Sequence, residues 1–320
     1  MKKYLITGYS GFVSHHFLNY LESRQEACSV LGVDINEPVF DIHSYKYVQN
    51  TFKKINLLDK AEVDEILQSY LPDYILHLAS YSSVANSWKN PVMSFVNNTN
   101  IFLNLADQVR LENLSCRILS IGSSEEYGKV NTESLPLHEQ LPTNPVSPYA
   151  VARVSQEMLS QIYAKSYGLD IVLTRSFNHI GPEQSEVFAI SSFAKKMIDI
   201  KYHPSANKTI TVGDIDIIRD FVDVRDVVKA YFLLLQNGEK GEIYNICSGM
   251  GISLKNVLEK MMAILQIDLE IVVDKQLIRP ADNQIIIGSN SKIKKKIGWQ
   301  PEITLEKSLI DLLDYWQLKK

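Results

Sequence analysis

Short uninterrupted apolar runs alternate with longer amphipathic stretches through the first half of the chain. "KYLITG" (3–8) predicts a strand, a helix follows over about 11–24, and "SVLGVD" (29–34) predicts a second strand. "YILHLAS" (74–80), "RILSIGS" (117–123) and "DIVLTRS" (170–176) repeat the pattern, with helical segments between them. Runs that are continuously apolar, rather than apolar at every second position, belong to strands covered on both faces, as in a parallel sheet. Strand and helix alternating from the first residue predict an α/β fold with a doubly wound parallel Rossmann sheet.

After residue 180 the regularity weakens. The pattern predicts a helix near 188–201, a polar loop "KYHPSANK", a short strand "TITV", then "RDFVDVRDVVKAYFLLL". A strand "EIYNIC", a helix near 253–266, the segment "RPADNQ" and a closing helix complete the chain. This predicts a smaller, mixed α/β domain whose chain crosses back to the sheet at about 220–247.

Composition narrows the function classes. With 45% hydrophobic and 22% charged residues, the 320-residue chain has the make-up of an ordinary soluble globular protein. A net charge of −4 gives no electrostatic reason to expect nucleic acid or an anionic membrane as partner. No apolar run approaches the ~18 to 20 residues needed to span a bilayer. "MKKYLITGYSGF" is interrupted too early for a signal peptide, so a cytoplasmic location is expected. Cys28, Cys116 and Cys247 form no CxxC pair and sit in or near apolar runs. They read as buried reduced thiols, and no metal site is expected.

Two local patterns carry chemistry. "TGYSGF" joins the first strand to the first helix, with Gly8 and Gly11 at the turn and Ser14 at a third small position. Such a loop lets main chain and helix N-terminus approach a pyrophosphate. Asp34 ends the second strand, where a carboxylate binds ribose hydroxyls and repels a 2′-phosphate, so NAD(H) is preferred, with NADP(H) as the alternative. The second pattern is "SPYAVARVSQ" (147–156), which puts Tyr149 and Arg153 on one helix face behind a Ser–Pro start. A free phenol titrates near ~10, so a tyrosine that relays protons at neutral pH needs a cation beside it.

With "HLAS", "SIGSSEEYG", "RSFNHIGP" and "RDFVDVRD" at their places along the chain, these motifs resemble the extended short-chain dehydrogenase/reductase family, the NAD-dependent epimerases, dehydratases and reductases of nucleotide sugars. "TRSFNHIGPEQS", "YNICSG", "LIRPAD" and "GWQPEITLEKSL" are most similar to its GDP-4-keto-6-deoxy-D-mannose reductases. GDP-mannose 4,6-dehydratases are similar too, but usually carry an Arg-rich NADP site and extra length.

The resemblance implies roles. Tyr149 is the general acid/base. The family's Lys, four residues on, tunes it and holds the nicotinamide ribose. Arg153 departs from that Lys: it keeps the charge in a bulkier planar fork, which either supports catalysis or displaces the ribose. Ser123 matches the catalytic Ser/Thr that bonds the C4 oxygen. Glu125 matches the base of the dehydratases, while Glu126 faces the other way in a structural role. For the cofactor, Gly8, Gly11, Phe12 and Val13 meet the pyrophosphate, Asn56 and Leu57 the adenine, and Leu78, Ala79 and Ser80 line the site. Asn98 orders the nearby backbone. For the substrate, Arg219 and Arg279 hold the diphosphate and Asn178 a phosphate. Phe188, Ala189 and Lys195 line the base pocket, and Asp282 holds a ribose hydroxyl.

Residues 1–178 and about 214–247 would form the NAD-binding domain, and about 179–213 and 248–320 the nucleotide-sugar domain. Helices near 91–110 and 149–167 would form a homodimer interface. The implied reaction is reduction of a 4-keto-6-deoxy nucleotide sugar, GDP-linked by the motif matches, giving a product such as GDP-D-rhamnose. The alternatives are a 4,6-dehydratase or C4 epimerase with tightly bound NAD, and a non-catalytic NAD-binding regulatory protein, the last motivated by Arg153.

Overall fold

The computed structural model describes residues 1–203, 208–278 and 283–320. Along the chain lie β1 (Lys2–Thr7), α1 (Phe12–Ser23), β2 (Cys28–Asp34), β3 (Val48–Lys54), α2 (Lys60–Tyr70) and β4 (Tyr74–His77). Then come α3 (Val84–Lys89), α4 (Pro91–Phe95), α5 (Ile101–Leu111), β5 (Arg117–Ser123), α6 (Pro148–Lys165) and β6 (Asp170–Ser176). The remainder comprises β7 (Asn178–Ile180), α7 (Ala189–Tyr202), β8 (Thr209–Val212), β9 (Ile218–Asp223), α8 (Val224–Asn237) and β10 (Ile243–Ile246). It ends with β11 (Gly251–Ser253), α9 (Leu254–Leu265), β12 (Glu270–Val273), β13 (Ile285–Ile286), α10 (Ser291–Ile297) and α11 (Leu305–Leu318).

Seven strands form one parallel sheet in the order β10-β6-β5-β4-β1-β2-β3. Its apolar strands are covered on both faces, as their composition demands. Successive side chains of β1 point to opposite faces. Tyr4 and Ile6 join Phe17, Tyr231 and Leu235 of α1 and α8 in one core. Leu5 joins Ile66, Phe102 and Tyr163 of α2, α5 and α6 in the other.

Three elements differ from the sequence reading. β3, "VQNTFKK", is a half-exposed edge strand, so it lacks the continuous apolar run that marks its neighbours. The helix expected near 91–110 is preceded by α3 and interrupted by a π-helical turn over Val96–Asn100. There the Asn98 side chain donates to the Ser94 carbonyl at 2.6 Å, competing with the main-chain ladder. The return to the main sheet comes later than residue 214: β9 still pairs with β7, β11 and β13 in a second sheet, and only α8 and β10 rejoin the first.

The second sheet and the β8–β12 pair pack with α7, α9 and α11 around a third core containing Met197, Met261 and Leu312. Asp223 binds this layer to the first. Its carboxylate caps the start of α8 through Arg225 N–H at 2.8 Å and accepts the Ser308 hydroxyl of α11 at 2.5 Å. No helix among the described residues is long and apolar enough to cross a membrane.

Gly32 in β2 fixes the first loop. The fully buried ring of Tyr9 lies so close that a Cβ on Gly32 would sit 2.1 Å from its Cγ. Gly32→Ala must therefore push Tyr9 out of its bed, and is expected to cost about 1–3 kcal/mol in chemical denaturation. Unchanged stability would show that the ring is free to move.

Candidate active site

The carboxyl ends of β1, β2, β4, β5 and β6 open into a cleft of about 1220 Å³ whose far wall comes from β7, α7, β8 and β9. That exceeds the roughly 300–1,000 Å³ of a pocket for one small molecule, so two ligands fit side by side.

On the β1 side the wall is built for close approach. Gly8 has φ +69°, and a Cβ there would lie 2.7 Å from the Ala79 nitrogen. Gly11 donates to the Gly8 carbonyl at 3.1 Å and caps α1 without a side chain, so main chain at Gly11, Phe12 and Val13 faces the cleft. This glycine cradle at a helix N-terminus fits the pyrophosphate of a dinucleotide. Thr7 ties it to the loop after β4, bonding His77 Nδ1 at 2.9 Å and accepting the Ala79 N–H at 3.2 Å. Burial, with the Arg153 cation nearby, pushes His77 down to about 3, so its ring is neutral.

Asp34 accepts the N–H groups of Ser10 at 3.1 Å and Asn36 at 2.9 Å, which holds its carboxylate in the cleft wall. Asn56 and Leu57 line the same end, and so do Leu78, Ala79 and Ser80. Asn56 Oδ1 caps Leu58 N–H at 3.0 Å, while its own N–H is held by Glu62, which the sequence did not single out. Asn98 stands behind the wall, buried, and receives the Tyr81 N–H at 3.2 Å, ordering the segment after β4.

Tyr149 and Arg153 meet in the centre. Ser147 caps α6 through the Ala150 N–H and Pro148 opens the helix, placing Tyr149 in the first turn and Arg153 one turn on. Both line the cleft, and Arg153 is only 4% exposed. Its Nε donates to the Tyr149 hydroxyl at 3.2 Å. Its Nη1 donates to Gln156 Oε1 at 2.7 Å and to the Ile121 carbonyl at 3.1 Å. The pair is neither a surface ion-pair position nor inert core.

Two expected residues stand one position away from the wall. Ser123 is the N-cap of the 3₁₀ turn Ser124–Tyr127, so its hydroxyl bends back to accept the Glu125 N–H at 3.2 Å, and Ser124 and Glu125 occupy the wall instead. Lys195 points outward on α7, paired with Glu186 and set over the Trp316 ring. A turn of 100° along that helix brings Lys196 into the cleft in its place. Asn178, Phe188, Ala189 and Arg219 line the cleft as expected; Asn178 donates to the Asp220 carbonyl at 3.1 Å and Arg219 to the Ile218 carbonyl at 2.9 Å. Arg279 and Asp282 lie outside the described residues.

A polar cluster in the same wall has no counterpart among the residues expected from the sequence. The Tyr231 hydroxyl on α8 bonds Ser176 at 2.8 Å and His179 Nε2 at 3.2 Å. Burial pushes His179 down to about 4 and raises Tyr231. "RSFNHIGP" contains Ser176 and His179, but nothing local points to a tyrosine more than fifty residues on.

Beneath the turn, Glu126 accepts the Ser123 N–H at 2.6 Å through Oε1, while Oε2 meets no donor. Glu157 of α6 is engaged by Arg175 through two bonds of 2.8 Å. Burial first, and the Glu157 charge second, raise the Glu126 carboxyl well above the usual range. Folding then takes up a proton above the ordinary carboxyl range, so this group's share of stability falls as pH rises. Glu126→Gln keeps the shape and the neutral state. Its thermal midpoint is expected to match the parent at about pH 5 and exceed it at about pH 8. Parallel pH curves would show Glu126 ionised in the fold.

Comparison with known proteins agrees with this geometry over nearly the whole chain. Residues 5–312 match the family model "GDP-mannose 4,6 dehydratase". The GDP-6-deoxy-D-mannose reductase of Pseudomonas aeruginosa is 34% identical over 316 residues, covering 99% of this chain and 97% of that protein. The solved structure of RMD from Pseudomonas aeruginosa, complexed with NADPH, is 34% identical with a TM-score of 0.85, covering 99% of this chain and all of the other. The UDP-glucose 4-epimerase of Thermotoga maritima, solved with UDP-glucose, is 26% identical with a TM-score of 0.86, covering 99% of each chain. The chain belongs to the GDP-mannose 4,6-dehydratase family, a branch of the extended short-chain dehydrogenase/reductases, and is an oxidoreductase-type enzyme of that family.

Proposed function

We propose that this enzyme reduces the C4 keto group of a 4-keto-6-deoxy nucleotide sugar, with GDP-4-keto-6-deoxy-D-mannose as substrate and GDP-D-rhamnose as product. The observation that carries the reading is the Arg153 guanidinium bonded to the Tyr149 hydroxyl inside the cleft. A nicotinamide cofactor, held by Gly8, Gly11, Asp34, Asn56 and Arg153, supplies the hydride when bound. Tyr149 delivers its phenolic proton to the carbonyl oxygen as that oxygen gains negative charge, and Arg153 stabilises the phenolate left behind. A hydroxyl from the Ser123–Ser124 turn donates a hydrogen bond to the same oxygen. Arg219 and Lys196 face the substrate's anionic diphosphate and its nucleoside.

Asp34 supports NADH: residues 34–39, "DINEPV", hold no cation to meet a 2′-phosphate. The Pseudomonas structure with NADPH supports the other cofactor. A second reading, dehydration or C4 epimerisation with the cofactor regenerated each cycle, is favoured by Glu125 in the wall.

The test supplies NADH or NADPH with the keto sugar made in place from GDP-mannose by a separate dehydratase. Stoichiometric loss of reduced-nicotinamide absorbance is expected, with the higher kcat/KM for NADH. Tyr149→Phe should lower kcat by about 10²–10⁴. Product without net consumption of reduced cofactor would move the assignment to the second reading, and a higher kcat/KM for NADPH would overturn the cofactor argument.

The same reading includes a homodimer. Val151, Met158 and Ile162 form a half-exposed apolar stripe on α6, continued by Val92 and Phe95 on α4. Ile162→Glu is expected to yield monomers in sedimentation; a parent that is already monomeric would rule the interface out.

A further inference from the structure

Arg153 is a buried cation with an unusual set of partners. Among the described residues it bonds a phenol oxygen, a main-chain carbonyl and an amide oxygen, none of them a carboxylate. A guanidinium so placed is ordinarily met by a carboxylate. One is close along the helix, but Glu157 is engaged by Arg175. Position 156 supplies an amide instead, and that amide is locked. Gln156 Nε2 donates to Ser120 Oγ at 3.0 Å and to the Ile121 carbonyl at 3.2 Å, which fixes its oxygen toward Arg153. Ser120 bonds Ser160 at 2.9 Å, and Ser160 donates back to the Gln156 carbonyl at 2.8 Å. All three are buried, so the dock is built from β5 and α6 together.

We propose that Gln156 is a positioning residue that makes arginine usable where the family has lysine. It anchors one arm of the guanidinium against β5, drawing the bulk of the fork back from the ribose. It keeps Nε on Tyr149. Because it is neutral, it does not itself cancel the positive charge, so the field of that charge falls on the phenol. On this account Arg153 is housed in a site adapted to it and is not a damaged lysine. Among the described residues, neutral His77 from β4 and Tyr231 from α8 face the pair, and Glu125 from the turn after β5 lines the same cleft.

The inference rests on the proposed roles of Tyr149 and Arg153, and its test is arranged to fail separately from the reaction. Gln156→Glu places a carboxylate on Arg153 at nearly constant shape. The phenolate titration of Tyr149, read as the ultraviolet difference between each protein and its Tyr149→Phe counterpart, is expected to move up by about one pH unit. At neutral pH, kcat for the keto sugar should fall about tenfold with KM little changed. An unmoved titration in folded Gln156→Glu overturns the proposal. A moved titration in a protein that does not reduce the keto sugar upholds it and removes the reductase assignment. Should Gln156→Glu not fold, Gln156→Leu and Arg153→Ala carry the test through the Kd for NADH. Each alone should raise it about tenfold, and the double variant no further, since residues acting as one unit are not additive. Additive losses would overturn the coupling.

Discussion

The parallel direction of all seven main-sheet strands is the constraint from which the site follows. Parallel strands must each be followed by a crossover on one face, so their carboxyl ends collect along a single edge. Here that edge receives the glycine loop after β1, Asp34 after β2, the Leu78–Ser80 segment after β4, the turn after β5 and Asn178 after β6. None of these segments would be near another in an antiparallel meander. The second sheet and its helices cover that edge, and Asp223 is bonded to both α8 and α11.

What was legible in the sequence divides by range. The apolar strands are readable because both faces are covered; β3 is not, because an edge strand with a polar face has no such run. Gly8 with Gly11, and Tyr149 with Arg153, depend on spacings of three and four residues, and local spacing survives folding. Ser123 and Lys195 are decided at a finer level. An N-cap turns its own hydroxyl into the turn, and helix phase chooses between neighbouring lysines. Those outcomes depend on a single residue of register, which a motif quoted as a string does not contain. The cluster of Ser176, His179 and Tyr231 is non-local, assembled only because α8 returns to pack on the sheet.

The buried charges around α6 divide into two layers. Positions 156 and 157 are adjacent, yet they face different cations. Glu157 engages Arg175, and burial together with the Glu157 charge raises the Glu126 carboxyl, so that layer holds the turn carrying Ser124 and Glu125 while its charges meet one another. Gln156 does the opposite beside Arg153. In a medium where the charge is poorly screened, a carboxylate at 156 would cancel the field at Tyr149, and an apolar residue would leave one guanidinium hydrogen without its acceptor. An amide held by Ser120 and Ser160 avoids both losses. The placement of one neutral acceptor next to a carboxylate-lined layer therefore separates the part of this helix whose charges meet one another from the part whose charge faces the cleft.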